Sequence, residues 1–181
     1  MKKVSKLIAA ALTVTALFFT ANVKAQTVPA GSLRMGIGVD AGDPTGNLTI
    51  SSTFVLGGNI SLQYGLTNRF AAEITSGADH FFSKYVPGST TVRYNSFGII
   101  PIKAGFKAFY TPNLYVDGQI GVGIEEDDSG TGPKKFLVSP ALGWAERHWD
   151  VSVRYDSYYT PGDNYGFVAL RIAYGFRFFT K

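Results

Sequence analysis

The chain has 181 residues, 17 Lys+Arg against 13 Asp+Glu, and no Cys, with Gly (21), Phe (14) and Tyr (10) in excess. The missing Cys excludes disulfide scaffolds, thiol catalysis and Cys-ligated metals. Beyond the N-terminus no run is apolar for long enough to span a membrane as a helix, so the 45% hydrophobic content must be organised otherwise.

Residues 1–25 read as a secretory signal. Lys2, Lys3 and Lys6 form its positive region, Leu7 to Thr20 its apolar region, and Val23-Lys24-Ala25 a small-residue cleavage site. Cleavage between Ala25 and Gln26 is expected, and no Cys follows the apolar region to make this a lipoprotein signal. The four lysines leave with the signal, and 13 Lys+Arg then face 13 Asp+Glu. The basic balance belongs to the discarded part, which removes the case for nucleic acid as a partner.

The rest alternates with period two, the signature of β-strands. In the first strand, Ser32 to Ala41, Leu33, Met35, Ile37, Val39 and Ala41 oppose Arg34, Gly36, Gly38 and Asp40. A polar loop runs from Gly42 to about Ser52, and the second strand from about Phe54 to Leu66. Thr67-Asn68-Arg69 is a tight turn into the third strand, Phe70 to about Phe82, which carries Glu73 and Asp79 on one face. A second long loop covers Ser83 to about Val92.

The fourth and fifth strands form the clearest hairpin. Ile100, Ile102, Ala104, Phe106, Ala108 and Tyr110 share one face, with Lys103 and Lys107 on the other. After Thr111-Pro112-Asn113, the face resumes with Leu114, Val116, Gly118, Ile120, Val122 and Ile124, against Asp117 and Glu125. A charged third loop follows, Glu126 to Lys135. The sixth strand is Phe136 to Ala145, Glu146-Arg147-His148 is a turn, and the seventh strand is Trp149 to about Ser157, with Asp150, Arg154 and Asp156 on its polar face. A fourth loop spans Tyr158 to Tyr165, where the tyrosines suit an outer aromatic belt or an adhesive surface. The eighth strand is Gly166 to Phe179, with Arg171 and Arg177 on its polar face. Pro101 and Pro140 fall inside strands and lack a ladder donor, so a bulge or an unpaired strand end is expected at each.

These segments approach the roughly ten residues that a tilted membrane strand needs. Eight of them, joined alternately by short and long connections, read as an all-β, antiparallel, up-and-down transmembrane barrel with apolar side chains toward lipid. The alternation of connections puts the short turns and both termini in the periplasm and the long loops outside. Tyr64, Phe70, Tyr110, Trp144, Trp149, Tyr174 and Phe176 gather at the short-turn end as an interfacial girdle, which argues against a soluble barrel with its apolar face inward.

The polar face then lines the interior: Arg34, Lys103, Lys107, Arg154, Arg171 and Arg177 against Asp40, Glu73, Asp79, Asp117, Glu125, Asp150 and Asp156. Buried charges must pair, and eight strands leave just enough width for side chains to fill the lumen. A plugged polar core is the leading reading. The alternative is a narrow path gated by rearranging pairs such as Glu73 with Arg154 or Arg171.

Catalysis has one weak candidate, His80 with Asp79 and Ser83, in which adjacent strand residues point to opposite faces. Two His and scattered carboxylates make no metal site, and no cofactor is implied. The cluster Glu125 to Asp128 lacks the spacing of a calcium loop and reads as a solvated tip, with cation bridging to lipopolysaccharide the lesser option.

The signal, the eight alternating segments, the stretch FGIIPIKAGFKAFYTPNLYVDGQIGVG and the ending GFVALRIAYGFRFF resemble the small outer-membrane β-barrel domain family, the OmpX-, OmpA- and OmpW-type barrels of Gram-negative bacteria. The resemblance implies the cell outer membrane as location, with its lipids, lipopolysaccharide and the barrel-assembly machinery as partners. Such barrels often end on an aromatic residue read by that machinery; here Thr180-Lys181 follow Phe179. It implies no shared catalytic motif. A non-catalytic structural or surface-contact role is expected, with a narrow channel or carrier for small or hydrophobic solutes as the alternative. A lipid-modifying enzyme is a distant third.

Overall fold

The computed structural model describes residues 29–89, 91–127 and 130–179; the signal segment and its Ala25–Gln26 junction lie outside them. Eight strands close into one barrel: β1 (Leu33–Gly46), β2 (Ser52–Gly65), β3 (Phe70–Ser83), β4 (Phe97–Phe109), β5 (Leu114–Asp127), β6 (Gly130–Ala145), β7 (Trp149–Thr160) and β8 (Asp163–Phe179). Each pairs antiparallel with its sequence neighbours, and β1 closes on β8. The up-and-down order follows from the short turns. At the β2–β3 turn the Thr67 Oγ1 accepts hydrogen bonds from the Arg69 and Phe70 amides at 3.1 Å. At the β4–β5 turn Thr111 Oγ1 accepts from the Leu114 amide at 2.9 Å.

Alternation sorts the two faces as the sequence implies. Ile37, Val39, Ile60, Ile74, Phe106, Ile120, Leu142 and Val153 are exposed on the outer wall, while the facing polar residues are buried inside. A continuous apolar belt of this kind is not tolerated by water and is what lipid requires. Tyr64, Tyr110, Trp144, Trp149, Tyr174 and Phe176 lie exposed at the short-turn end, where an interfacial girdle belongs. Ile120, mid-strand and 61% exposed, gives a direct test. Ile120→Lys should cost about 2–4 kcal/mol of stability in phospholipid vesicles. A change within about 0.5 kcal/mol, as for an ordinary water-facing site, would contradict the lipid-facing assignment.

Two expectations need correction. Of the four outer connections expected to be long, only the one between β3 and β4 is. β1 continues to Gly46 and meets β2 through a single helical turn, α1 (Leu48–Ser51), while β7 and β8 are separated only by Pro161 and Gly162. β5 and β6 likewise extend to Asp127 and from Gly130. Pro44, read as part of a loop, sits in β1 above the belt and pairs with Phe167, although the lipid-facing alternation has ended; Gly132 and Pro133, also read as loop, lie in β6 where its register against β5 shifts between Glu126–Thr131 and Ile124–Lys134. Nor do Pro101 and Pro140 create bulges. Pro101 pairs in register with Gly123, and Pro140 with Gly118. Each interrupts the ladder only toward its other neighbour: between Ser76–Ile102 and Asp79–Ile99 for Pro101, and between Val138–Ser157 and Ala141–Arg154 for Pro140. The missing donor is thus placed on one side of the strand, without a shift of register.

Candidate functional site

The lumen is built in layers. At the short-turn end Phe109, Tyr115 and Ala145 form a buried apolar patch. Above it sits a first ionic cluster around Lys107 on β4. Its Nζ lies 2.8 Å from Asp150 on β7 and 3.2 Å from Glu73 on β3, and 4.0 Å from the Tyr115 ring centroid on β5. Tyr115 donates its hydroxyl to Asp150 at 2.5 Å. That ring occupies the space a side chain would need at Gly143, where an added Cβ would stand 2.3 Å from the hydroxyl. Asp117, half-buried, accepts from Gln119 at 2.7 Å.

Arg171 on β8 ties this cluster to the next. It stands 3.7 Å from Asp150 and donates to Asn59 at 2.9 Å and Ser61 at 3.2 Å. Asn59 in turn donates to Asp40. The second cluster centres on Arg154 of β7, whose NH2 lies 3.2 Å from Asp40, 3.3 Å from Asp156 and 4.0 Å from Asp79. Lys103 reaches Asp156 at 3.0 Å and Ser139 at 2.9 Å, and Ser139 also donates to Asp156. Charges withdrawn this far from water are tolerable only when paired and hydrogen-bonded, and most here have two or more partners.

The outer end is closed by apolar groups. Val55, Phe81, Ile99, Leu137, Tyr158 and Phe167 are fully enclosed, with Leu48 of α1 and Tyr165 packed on them. Phe81 and Phe97 stack at 4.6 Å, and Phe81 meets Phe167 edge-on at 5.5 Å. At this level Lys135 pairs with Glu125 at 3.4 Å and sits 4.3 Å over the Tyr165 ring. Between the ionic clusters, a cavity bordered by Glu73, Lys103, Lys107, Asp117, Arg154 and Arg171 measures about 10 Å³, room for about one water molecule.

Twelve of the thirteen charges assigned to the interior therefore lie in it, with Glu125 and Asp117 only partly covered. Arg177 does not: the parity of its strand is inward, but it lies at the open short-turn end and is exposed. Arg34 is buried against Gly175, and its guanidinium has no hydrogen-bond acceptor among the described residues. The expected partners of Glu73 are also corrected. It pairs with Lys107, whereas Arg154 engages Asp40, Asp79 and Asp156. Which charges meet across a lumen depends on the stagger of the strands around the barrel, which sequence alternation alone does not specify.

Sequence reasoning missed Lys135 and the aromatic plug. Tyr158 and Tyr165, expected in an outer belt, are inside, and Tyr159 alone of the three is exposed. Carrying the inward parity of β7 onward from Asp156, and that of β8 back from Ala169, would have found both. His80 points outward, edge-on to Phe82 at 4.7 Å, while Asp79 is buried inside, so the weak catalytic trio is not assembled. Among the described residues no three His or acidic groups gather in a way that could hold a metal ion.

No protein-family model matches the sequence, and no curated protein matches it. Solved structures do. Ail, the attachment invasion locus protein of Yersinia pestis, superposes in its crystal form with a TM-score of 0.57 at 13% identity, covering 81% of this chain and 99% of Ail. Its backbone structure in a phospholipid nanodisc gives 0.59 at 14% identity, with the same coverage. Ail has also been crystallised with the heparin analogue sucrose octasulfate, at a TM-score of 0.55. The outer membrane protein OprG of Pseudomonas aeruginosa gives 0.53 at 13% identity, covering 88% of this chain and all of OprG. At such identities the likeness is one of architecture, and with the closed sheet, apolar outer belt and ionic lumen it makes this chain an eight-stranded, antiparallel, up-and-down transmembrane β-barrel of the outer-membrane type.

Proposed function

We propose that the chain is a non-catalytic integral protein of the bacterial outer membrane that works through its outer surface and not through its lumen. In this reading residues 1–25 direct export, the barrel-assembly machinery inserts the mature chain, and the short turns and both termini face the periplasm. The observation that carries the proposal is the closed interior: two linked ionic clusters, capped by Phe109 and Tyr115 at one end and by the Phe81–Tyr158–Phe167 plug at the other. A route for solutes would have to break several charge pairs at once.

The surface on offer is the β3–β4 connection, residues 84–96. It is tied down, since Lys84 Nζ donates to the Thr49 carbonyl at 2.7 Å and its amide to the Ser51 carbonyl at 2.7 Å. Arg93 donates to the Tyr85 hydroxyl at 2.6 Å and lies 4.2 Å over that ring. Tyr85, Val92 and Ile50 are exposed beside these cations. A cationic, aromatic surface suits an anionic glycan, and the sulfated sugar bound by Ail makes heparin the first ligand to try. Cells displaying the protein should adhere to heparin-coated wells, and replacing residues 84–96 by Asn-Gly should abolish adhesion at an unchanged outer-membrane level. Unchanged adhesion after the replacement, together with faster swelling of proteoliposomes in small solutes, would favour the channel or carrier reading instead.

A further inference from the structure

At the short-turn end the barrel wall has a notch. The β7–β8 ladder ends at Trp149–Tyr174, but β8 continues to Phe179 along β1. The β6–β7 turn folds over this gap and is fastened to it: the Gly175 amide donates to the His148 carbonyl at 2.7 Å, and His148 Nδ1 lies 3.3 Å from the Gly175 carbonyl. The His148 ring stacks on Tyr174 at 5.4 Å and 9°. What remains is a cavity of about 300 Å³ lined by Arg147, His148, Arg177 and Phe178.

Its lining has the chemistry that suits a phosphate group. Two arginines from different segments present planar donor forks, the geometry that recognises phosphate oxygens. His148 adds a ring held in one orientation by its stack and its backbone contact. Glu146 is the one acid on the turn itself, and Arg34, the cross-strand partner of Arg177, places a further buried cation behind the site. The fourth wall is Phe178, exposed at the register shift of β8 against β1 and two residues beyond Phe176, whose ring meets Tyr174 and through it Trp149 in the girdle. A polar cationic floor with an aromatic wall at the level of the girdle matches the join between a lipid headgroup and its acyl chains.

We infer that the notch between the β6–β7 turn and the end of β8 binds the phosphate of an anionic glycerophospholipid, Arg147 and Arg177 holding the phosphate and Phe178 the start of an acyl chain. In the orientation of the proposed function this is a lipid of the periplasmic leaflet; the binding itself does not depend on that reading.

Native mass spectrometry tests it on the mature barrel refolded in detergent with equal amounts of phosphatidylglycerol and phosphatidylcholine, folding being checked by the heat-dependent gel shift. The wild type should retain one phosphatidylglycerol in preference to phosphatidylcholine. Arg147→Gln and Arg177→Gln should each weaken retention about fivefold, the weight of one cation near an anionic lipid surface. Lys84→Gln/Arg93→Gln, at the opposite rim, should leave it unchanged. Equal retention of the two lipids, or loss only in the Lys84/Arg93 variant, would overturn the assignment. So would displacement of the lipid by millimolar inorganic phosphate, which would mark a site for free anions. All these outcomes are independent of heparin adhesion and of conductance, so either proposal can fail alone.

Discussion

Arg154→Met should destabilise the barrel by about 3–5 kcal/mol, the cost of stripping a buried charge cluster of its counter-ion. The size follows from the company Arg154 keeps. Three carboxylates, Asp40, Asp79 and Asp156, stand within 4.0 Å of its NH2. Without it Asp156 retains Lys103 and Ser139, and Asp40 retains Asn59. Asp79 retains nothing comparable among the described residues: its Oδ2 has no hydrogen-bond partner there, and its ion pair is the one to Arg154. Adding Asp79→Leu should therefore recover part of the loss, which a double-mutant cycle by guanidinium unfolding in vesicles would resolve. A loss below about 1 kcal/mol, with no recovery in the double variant, would mean that water already solvates these carboxylates, as in an open lumen.

Lys107→Met should cost a similar amount, about 3–5 kcal/mol, but with a different pattern of rescue. Asp150 keeps Arg171 at 3.7 Å and the Tyr115 hydroxyl, so the orphan is Glu73. Lys107→Met/Glu73→Gln should regain most of the stability, because the amide no longer needs a counter-ion. Lys107→Met/Asp150→Asn should regain less, since it leaves both Glu73 and Arg171 short of a partner. Equal rescue by the two second changes would contradict the separation of roles within this cluster.

These experiments bear on what the sequence could and could not reveal. The lipid and lumen faces were legible because a strand permits only two orientations: once Ile102, Ala104 and Phe106 were placed outward, Lys103 and Lys107 had to point in. Of the charges that parity turns inward, the structure buries or half-buries all but Arg177, where inward parity meets the end of the barrel. Pairing was not legible. Glu73 and Lys107 lie on adjacent strands, but Arg154 finds Asp40 and Asp79 across the lumen, and that choice depends on stagger. Strand ends above the belt are not legible, because pairing continues through Gly42, Pro44 and Gly46 after the apolar signal stops. The aromatic plug is hidden with them, since Tyr158 and Tyr165 lie past that signal and read as loop residues. The displayed surface and the notch at the end of β8 depend on side chains brought together from different segments, and neither has a signature in the linear sequence.

The most direct test of the closed lumen is the electrical conductance of planar phospholipid bilayers containing the refolded, heat-modifiable protein. The bilayers should stay silent, with no steps above the protein-free baseline. Reproducible steps from the wild-type barrel, altered in size by Lys103→Met or Glu73→Gln, would contradict the account and make the two ionic clusters a gate.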